Sequence, residues 1–311
     1  MKIAILGATG YIGKGLTRLL SGRGDEVIVL SRSVDHAREV FGDEVRALGL
    51  AGRNKTELAH ELSGVDAIVN LAGENIGSSL WTKAKRQRIL ESRLEAGRLV
   101  SGIISSMVRR PGLVVQASAV GYYGSRGEES LEESSCPGEG FLADVAGQWE
   151  DSTKDVESLG ARRVIIRTGV VFSSDGGALP KLAMPYNLHI GTVLGSGDQW
   201  VPWIHYHDTI GAIAFLIHNP TSSGVYNLVS PTPARMDDIC SEIGRALGRK
   251  TIVHVPGLFL RIGMGKMAEE TILPSQKVAP ARLLEEGYSF SHAKLDEAIT
   301  HIFPAGRQTH A

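Results

Sequence analysis

Short apolar runs alternate with amphipathic segments through the first half of the chain. The apolar, β-branched runs lie at residues 2–6, 27–30, 65–71, 113–117 and 163–167. After the first run, Leu16, Leu19 and Leu20 recur at helical spacing, which predicts a helix there. Continuous apolar strands that alternate with helices are typical of a parallel sheet covered on both faces. The pattern therefore predicts an α/β fold with a doubly wound parallel sheet.

The second half has a different texture, which indicates a second unit. Glycine and proline are frequent from about residue 172 to residue 202, so this stretch is predicted to be rich in loops. Apolar spacing then predicts helices, which cover residues 236–247, 257–268 and 292–298. We predict one domain over residues 1–172, with a later contribution from about 204–229, and a smaller C-terminal α/β lobe over residues 173–311.

A glycine-rich loop, Gly7-Ala8-Thr9-Gly10-Tyr11-Ile12-Gly13, connects the first predicted strand to the first predicted helix. Gly7 permits a tight turn, and Gly13 lets the helix pack closely on the strand. Gly10 lets backbone N–H groups approach a pyrophosphate, which the helix N-terminus then faces. This context predicts a Rossmann-type dinucleotide site. Its predicted contact residues are Gly7, Thr9, Gly10, Tyr11, Ile12 and Gly13.

The end of the second predicted strand indicates which dinucleotide fits. Sites specific for NAD place an acidic residue there to bind the ribose 2′-hydroxyl. Here Ser31 and Arg32 occupy that position, and the first carboxylate is Asp35. Because a guanidinium binds a phosphate through paired N–H groups, the sequence favours NADP(H) as the cofactor. The alternative is that Arg32 is a solvated loop charge.

The segment after the third predicted strand reads Asn70-Leu71-Ala72-Gly73. In a fold of this class that turn runs along the adenine-ribose side of the cofactor, where small residues let the backbone approach. An ordinary strand end is an equally good interpretation of the spacing.

These motifs resemble the extended branch of the short-chain dehydrogenase/reductase superfamily. Within it, the chain is similar to the NAD-dependent epimerase/dehydratase-like subgroup known as epimerase family proteins, some of which are labelled cell-division inhibitors. The resemblance spans nearly the whole chain and includes segments 91–94, 167–171, 202–205, 276–278 and 287–290. It implies NADP(H) contacts at Ser31, Arg32, Leu71, Ala72, Gly73, Arg93 and Val171. Spacing alone would leave Arg93 as a charge on a helix surface.

The catalytic pattern of the superfamily is broken in this chain. Its members use Tyr-x-x-x-Lys on a helix, where the tyrosine moves a proton while hydride moves at the nicotinamide. No tyrosine here is followed four residues later by lysine. With Glu150 matched to a glutamate of the family helix, the tyrosine position falls on Leu142 and the lysine position on Ala146. Since two apolar residues cannot carry a proton, the standard mechanism is absent.

Two residues are candidates to substitute in catalysis. Ser118 lies near the serine that the resemblance places before the active-site helix. Tyr122 follows at the carboxyl end of the fourth predicted strand, where ligands of open α/β sheets bind. Packing of an amphipathic aromatic ring under a loop is the alternative for Tyr122.

A second polar and aromatic cluster lies at residues 199–208. We predict that Trp200, Trp203 and His205 line a substrate pocket, with Gln276 contacting the substrate from the C-terminal lobe. The alternative for Gln276 is a solvated lobe surface.

The same cluster raises the question of a metal. His205 and His207 would face one side of a strand. Because no third ligand is nearby in sequence, we predict no metal site. Asp208 is predicted to be the N-cap of a helix over residues 209–217 and not a catalytic acid.

The charge balance and the cysteine content limit which partners and which cellular compartment we expect for this protein. The chain has 33 Lys and Arg against 34 Asp and Glu, so it lacks the field that would hold nucleic acid or an anionic membrane. It begins on a strand-like run in place of a signal peptide, and no apolar stretch reaches the ~18 residues of a membrane span. Its two cysteines, Cys136 and Cys240, fit a reducing compartment. We expect a cytoplasmic protein. By analogy with extended relatives, it is expected to form a homodimer.

Two functions fit these observations. The first is an NADP(H)-dependent oxidoreductase or epimerase-like enzyme that acts on a small polar substrate with an altered proton donor. The second is a non-catalytic NADP(H)-binding sensor or interaction protein, the class to which the cell-division label belongs. Loss of the proton-carrying pair favours the second, whereas the aromatic and polar cluster at residues 199–208 favours the first. The sequence favours an enzyme.

Overall fold

The structure, a computed structural model, describes residues 1–304 apart from the side chain of Ile252. Its strands are β1 (Lys2–Leu6), β2 (Glu26–Ser31), β3 (Arg46–Gly49), β4 (Ala67–Asn70), β5 (Leu113–Ala119), β6 (Ser130–Leu131), β7 (Arg162–Thr168), β8 (Val170–Phe172), β9 (Gly191–Leu194), β10 (Trp200–Val201), β11 (Trp203–His205), β12 (Gly224–Leu228), β13 (Ala234–Arg235), β14 (Thr251–Val255) and β15 (Lys277–Val278).

Helices separate most of these strands. They are α1 (Tyr11–Gly22), α2 (Val34–Phe41), α3 (Lys55–Glu61), α4 (Lys83–Ser105), α5 (Phe141–Asp151), α6 (Asp155–Ser158), α7 (Leu179–Asn187), α8 (Tyr206–His218), α9 (Met236–Ala246), α10 (Gly257–Met264), α11 (Lys266–Thr271), α12 (Ala281–Glu285) and α13 (Leu295–Ile302). Within residues 1–304, none of them combines the length and the apolar character needed to cross a membrane.

The first compact unit, residues 1–118, 145–167 and 210–226, is built on a central sheet. Its strand order is β12-β7-β5-β4-β1-β2-β3. The pairs β1/β2, β1/β4, β2/β3 and β4/β5 are parallel. The order reverses between β1 and β4, and open α/β sheets bind ligands outside the carboxyl ends of the strands at such a point. The predicted Rossmann-type α/β fold is confirmed.

Burial on both faces of the sheet explains why its inner strands are largely apolar. Ile3, Ala4 and Ile5 of β1 are fully buried. One face packs against a cluster that includes Leu58 of α3 and Val100 of α4. Burying such side chains contributes roughly 1.5–3 kcal/mol each, which stabilises the platform on which the site is built.

Two strands of this sheet, β3 and β12, were missed by the apolar pattern. Both lie at its edges. Their sequences, Arg-Ala-Leu-Gly and Gly-Val-Tyr-Asn-Leu, mix polar and glycine positions because an edge strand is covered on fewer sides. The predicted helix over 257–268 is also broken, since Gly265 at φ +56° separates α10 from α11. The last helix begins at Leu295 and not at residue 292.

Among the described residues, the second compact unit comprises residues 119–144, 168–209 and 227–304. It contains short strand pairs: β8/β11, β9/β14 and β6/β15 are parallel, and β10/β13 is antiparallel. Its main core joins α7, α9 and α13 around Phe172 and Trp203, whose rings stack with centroids 5.6 Å apart.

Candidate functional site

The glycine loop forms a tight turn that leaves the start of α1 open. Gly7 follows β1 at φ +87°, a conformation that favours glycine, and accepts the N–H of Gly10 at 3.0 Å. Gly10 is the N-cap of α1 and is exposed, so no cap side chain covers the first N–H groups of the helix. Thr9, Tyr11 and Ile12 are half-buried around this turn. The arrangement suits an anion at the helix N-terminus.

Two of the glycines are required by packing within the protein. A Cβ atom on Gly13 would lie 2.3 Å from the carbonyl oxygen of Gly7. A Cβ atom on Gly7 would lie 2.8 Å from both the carbonyl carbon of Leu71 and the amide nitrogen of Ala72. The structure therefore brings together the glycine loop and the turn after β4, as the sequence analysis expected for one nucleotide site.

Ser31 and Arg32 lie at the end of β2, next to β1 in the sheet. The Ser31 hydroxyl donates to the carbonyl oxygen of Ser33 at 2.7 Å and accepts the N–H of Ser33 at 3.1 Å. Ser31 therefore shapes the turn into α2, while the Arg32 side chain is exposed. A guanidinium presented in this way can pair with a phosphate.

The turn after β4 is held by a buried amide. The Asn70 side chain donates to Oε1 of Gln116 at 2.9 Å, and its Oδ1 accepts the N–H of Ala72 at 3.3 Å. Both Asn70 and Gln116 are fully buried. This pair fixes the backbone at Leu71 and Ala72.

Arg93 packs beneath the same turn. Its Nη1 donates to the carbonyl oxygens of Ile89 at 2.9 Å and Glu74 at 3.1 Å, and its guanidinium carbon lies 4.7 Å from the centre of the Trp149 ring. A Cβ atom on Gly73 would lie 3.2 Å from that carbon. Burial lowers the pKa of Arg93 to about 10. The interpretation as a helix-surface charge is wrong, and Arg93 supports the segment predicted to contact the cofactor.

A buried lysine, missed by the sequence analysis, braces the following loop. Lys85 is 2% exposed, and its ammonium donates to Oε1 of Glu74 at 2.6 Å and to Oγ of Ser78 at 2.7 Å. The hydrogen bond from Lys85 lowers the pKa of the Glu74 carboxyl. An amphipathic helix that begins with several basic residues gives no local sign of which one turns inward.

The positions of the missing Tyr-x-x-x-Lys pair are occupied by packing residues on α5. Ala146 is buried, and Leu142 packs so close to Gly121 that a Cβ atom on the glycine would lie 3.1 Å from its own. The first N–H groups of α5, from Phe141 and Leu142, donate to the carboxylate of Glu270 at 3.0 and 3.1 Å. These residues give α5 no proton-carrying group at either position.

Ser118 belongs to a buried polar network in the first unit. Its Oγ donates to Oε1 of Glu150 at 2.6 Å, and Arg167 donates to Oε1 and Oε2 of the same carboxylate at 2.8 and 2.9 Å. All three residues are buried. The bidentate pair fixes the carboxylate, which in turn fixes the Ser118 hydroxyl at the carboxyl end of β5. Sequence reasoning used Glu150 only as an anchor and missed this network.

Tyr122 lies on a single 3₁₀ turn, Val120–Tyr123, after β5. It is half-buried, and its ring meets that of Tyr123 edge-on at 5.4 Å. The Gln276 side chain donates to the carbonyl oxygens of Val120 at 3.0 Å and Gly124 at 2.7 Å, which brackets the turn. Gln276 is therefore buried and is not on a solvated lobe surface.

The two tryptophans have different surroundings. Trp203 is 1% exposed and donates to the carbonyl oxygen of Thr232 at 3.0 Å, so it belongs to the core and the prediction of a pocket wall is wrong for it. Trp200 is half-buried and donates to Oε2 of Glu128 at 2.9 Å. The charged ends of Arg235 and Lys277 lie 4.6 and 5.1 Å from the centre of its ring.

The remaining predicted residues also lie in the second unit. Val171 is on β8, where it pairs with Ile204 of β11. His205 ends β11 and is buried. The helix after it begins at Tyr206, so Asp208 is not its N-cap as predicted. The Asp208 carboxylate is instead used far along the chain, where it accepts the N–H groups of Ser291 and His292 at 2.7 and 2.9 Å.

The reversal of strand order, the glycine loop and the open N-terminus of α1 define a Rossmann-type α/β protein. Residues 3–228 match the model of the NAD dependent epimerase/dehydratase family, and the chain belongs to that family. Residues 255–302 match a separate model, a domain of unknown function (DUF1731).

Relatives from distant organisms match almost the full chain. Epimerase family protein YfhF of Bacillus subtilis (strain 168) is 34% identical over 310 residues, which is 99% of this chain and 100% of the relative. The Homo sapiens protein, epimerase family protein SDR39U1, is 32% identical over 305 residues, or 97% of this chain and 99% of the relative.

Solved structures share the fold. A crystal structure of human epimerase family protein SDR39U1 (isoform2) with NADPH has a TM-score of 0.85 and 32% identity, and covers 97% of this chain and 99% of that one. A nucleoside-diphosphate sugar epimerase from Corynebacterium glutamicum has a TM-score of 0.77 and 30% identity, over 97% of this chain and 58% of its own. A Thermus thermophilus UDP-glucose 4-epimerase complex with NAD has a TM-score of 0.75 at 18% identity, covers 98% of this chain and 100% of that one, and shows the fold alone.

Proposed function

We propose that this chain binds NADP(H) at the loop between β1 and α1 and acts as an oxidoreductase or epimerase-like enzyme on a small polar substrate. The observation that carries the proposal is an exposed arginine, Arg32, directly after β2, beside a strand whose following helix begins at the uncapped Gly10. No carboxylate stands at that strand end to bind a ribose hydroxyl. The human relative crystallised with NADPH supports the same cofactor.

The electrostatics of these groups suit a dinucleotide that carries an extra phosphate. Helix N–H groups and the positive end of the α1 dipole favour the pyrophosphate. A guanidinium at the adenosine 2′-phosphate adds charge-assisted hydrogen bonds, worth about 1.5–3 kcal/mol in total. NADPH carries this phosphate and NADH does not, so we assign to Arg32 the preference for NADPH over NADH.

For the chemical step, Ser118 is the polar residue of β5 that we assign to the substrate. Its hydroxyl is held by Glu150, and Glu150 by Arg167, so the oxygen has a fixed position and retains lone pairs. In this assignment Ser118 orients a substrate oxygen while hydride moves to or from the nicotinamide. Because Leu142 and Ala146 replace the usual pair, the proton comes from another group.

A second candidate, a non-catalytic NADP(H) sensor, is favoured by the same replacement. Ala146 is buried, and its methyl group cannot hold a cofactor ribose as a lysine would. A protein that reports cofactor level needs the loop and Arg32 but has no use for a proton donor. Turnover separates the two candidates.

The cofactor assignment is tested by fluorescence titration of wild-type protein and Arg32→Ala with NADPH and with NADH. We expect the Kd for NADPH to rise roughly 10- to 100-fold in the variant, with NADH affinity unchanged. Arg109→Ala is the matched control, because Arg109 is exposed at the amino end of β5, away from the carboxyl strand ends. Equal weakening of both cofactors by Arg32→Ala would refute this role.

Catalysis is tested with the NADPH complex and a panel of carbonyl compounds, followed by cofactor absorbance. Epimerisation consumes no cofactor, so nucleotide sugars are incubated with the NADP⁺ complex and their stereochemistry is followed by nuclear magnetic resonance. Turnover with any compound supports the enzyme. Tight cofactor binding without turnover across the panel supports the sensor.

A further inference from the structure

Four histidines meet in the second unit, although only two of them are neighbours in sequence. His205 ends β11 and His207 lies in the first turn of α8, whereas His292 precedes α13 and His301 lies in its last turn. One imidazole nitrogen from each lies within 4.8 Å of the others. The chain between residues 207 and 292 folds back to bring the two pairs together, which local spacing could not indicate.

The separations of these nitrogens approach those of a metal site. Nε2 of His205 and Nδ1 of His301 are 3.2 Å apart. With metal–nitrogen bonds of about 2.0–2.1 Å, neighbouring ligands of a tetrahedral ion lie roughly 3.3 Å apart. The separation between the His205 and His301 nitrogens therefore already matches one edge of the tetrahedron. The nitrogens that lie farthest apart, at up to 4.8 Å, must approach each other by about 1.5 Å. His207 and His301 are exposed, so their rings have room to rotate toward an ion.

We propose that His205, His207, His292 and His301 form a binding site for a divalent transition-metal cation of the Zn²⁺ class. Imidazole nitrogen suits Zn²⁺, Co²⁺, Ni²⁺ and Cu²⁺, whereas Mg²⁺ and Ca²⁺ take oxygen ligands, and none of the four residues offers oxygen. This proposal departs from the sequence expectation of no metal, which rested on the lack of a nearby third ligand.

Asp208 is placed to support such a site from behind. Its carboxylate is 1% exposed, and its Oδ2 lies 3.6 Å from Nδ1 of His292. Among the residues that the structure describes, that nitrogen is buried and has no hydrogen-bond partner. A carboxylate behind a ligating histidine keeps the proton on the near nitrogen, leaves the far one for the metal, and offsets part of the cation's charge.

A metal ligand must be a neutral imidazole, and burial favours that form at three of the four histidines. Burial lowers the pKa of His205 to about 3, and burial also lowers the pKa values of His207 and His292. Neutral His205 accepts the N–H of His207 at Nδ1, at 3.1 Å, so its proton lies on Nε2 and faces His301. A cation that binds Nε2 must displace this proton to Nδ1, so His205 gives up both the contact with His301 and the hydrogen bond from the His207 N–H.

The test uses tag-free full-length protein that has been stripped with a chelator. ZnCl₂ binding is measured by calorimetry, and CoCl₂ binding by the visible absorption that intensifies when Co²⁺ enters a tetrahedral site. We expect one ion per chain. His207→Ala and His301→Ala, both at exposed positions, should each weaken binding at least tenfold, because each removes a ligand outright.

His254→Ala is the matched control, since His254 is an exposed histidine of the same unit outside the cluster. It should bind both ions as the wild type does. The proposal is overturned if the wild-type chain binds neither ion, or if the three variants bind alike. NADPH titration of the same samples is independent of this outcome, so failure of the metal site and failure of the cofactor assignment are distinguishable.

Discussion

An alanine at Gly13 tests how the glycine loop is held. A Cβ atom there would lie 2.3 Å from the carbonyl oxygen of Gly7 and 2.7 Å from Cα of Ala8. Both neighbours are backbone, so neither can swing aside as a flexible side chain would. Since ordinary contact begins at 3.4 Å, the loop and α1 must separate by about 1 Å.

The cost of that separation can be estimated. Overpacking against a fixed neighbour destabilises a protein by about 1–3 kcal/mol, and the backbone contact at Gly13 places this case at the upper end. For domains of about 150–250 residues, each kcal/mol lowers Tm by roughly 2–4 °C. We expect Gly13→Ala to lower Tm by roughly 5–10 °C and also to weaken NADPH, because the displaced helix start no longer faces the pyrophosphate.

Gly10→Ala separates binding from folding. Gly10 has φ −72° and ψ 172°, which alanine adopts, and its Cβ would lie 3.1 Å from the carbonyl oxygen of Gly7. The loss of stability should stay near the ~1 kcal/mol of a poorer N-cap. The new methyl group occupies the exposed side of the turn that the pyrophosphate approaches, so NADPH affinity should fall at least tenfold.

The assays are thermal unfolding followed by circular dichroism and NADPH titration followed by fluorescence. Gly22→Ala is the matched control, since Gly22 lies near the end of the same helix with no atom within 4 Å of an added Cβ. It should leave NADPH affinity unchanged and leave Tm equal or slightly higher. The reasoning fails if Gly13→Ala has the same Tm as Gly22→Ala, or if Gly10→Ala binds NADPH as tightly as the wild type.

Two further predictions concern buried groups. Glu150→Ala leaves Arg167 buried without its carboxylate and should cost about 3–5 kcal/mol, whereas Glu157→Ala, which removes a half-exposed partner of Arg163, should cost under about 1 kcal/mol; similar Tm values for the two variants would contradict the importance of the Glu150 network. Burial raises the pKa of the Cys240 thiol to about 12, while Cys136 is exposed, so a thiol reagent should modify one cysteine in the native chain and the second only on unfolding. Rapid modification of both would show that Cys240 is accessible.

The parts of this protein that could be predicted are those whose cause is local in sequence. β1 and β5 are buried on both faces, so apolar runs at residues 3–6 and 113–115 signal them. The loop from Gly7 to Gly13 holds three glycines within seven consecutive residues. One permits the tight turn, one lets a pyrophosphate approach the backbone, and one lets the helix pack on the strand. The edge strands β3 and β12 lack such a signal, because an edge strand is covered on fewer sides and its sequence mixes polar and apolar residues.

What could not be predicted joins distant parts of the chain. Ser118 and Glu150 are 32 residues apart and Arg167 follows 17 residues later, yet they share one buried network. His205 and His301 are 96 residues apart and their nitrogens are in contact. A serine, a glutamate or a histidine is unremarkable in its own segment, and its role exists only once the fold supplies the partner. The same holds for Trp203, which stacks on Phe172 from a different strand.

The environment of α5 bears on how the missing proton donor should be sought. Ala146 is 2% exposed, so a lysine restored there would bury a charge at a cost of several kcal/mol unless it found a partner. Leu142 fills the space beside Gly121, and a tyrosine ring at position 142 would have to displace Gly121. The helix is therefore adapted to packing at both positions, and reinstating Tyr-x-x-x-Lys would disturb the fold before it restored chemistry. A proton donor, if the chain turns over a substrate, has to be sought elsewhere than Ser118, whose hydroxyl proton is donated to Glu150. Tyr122, half-buried on the turn after β5, is the first group to examine.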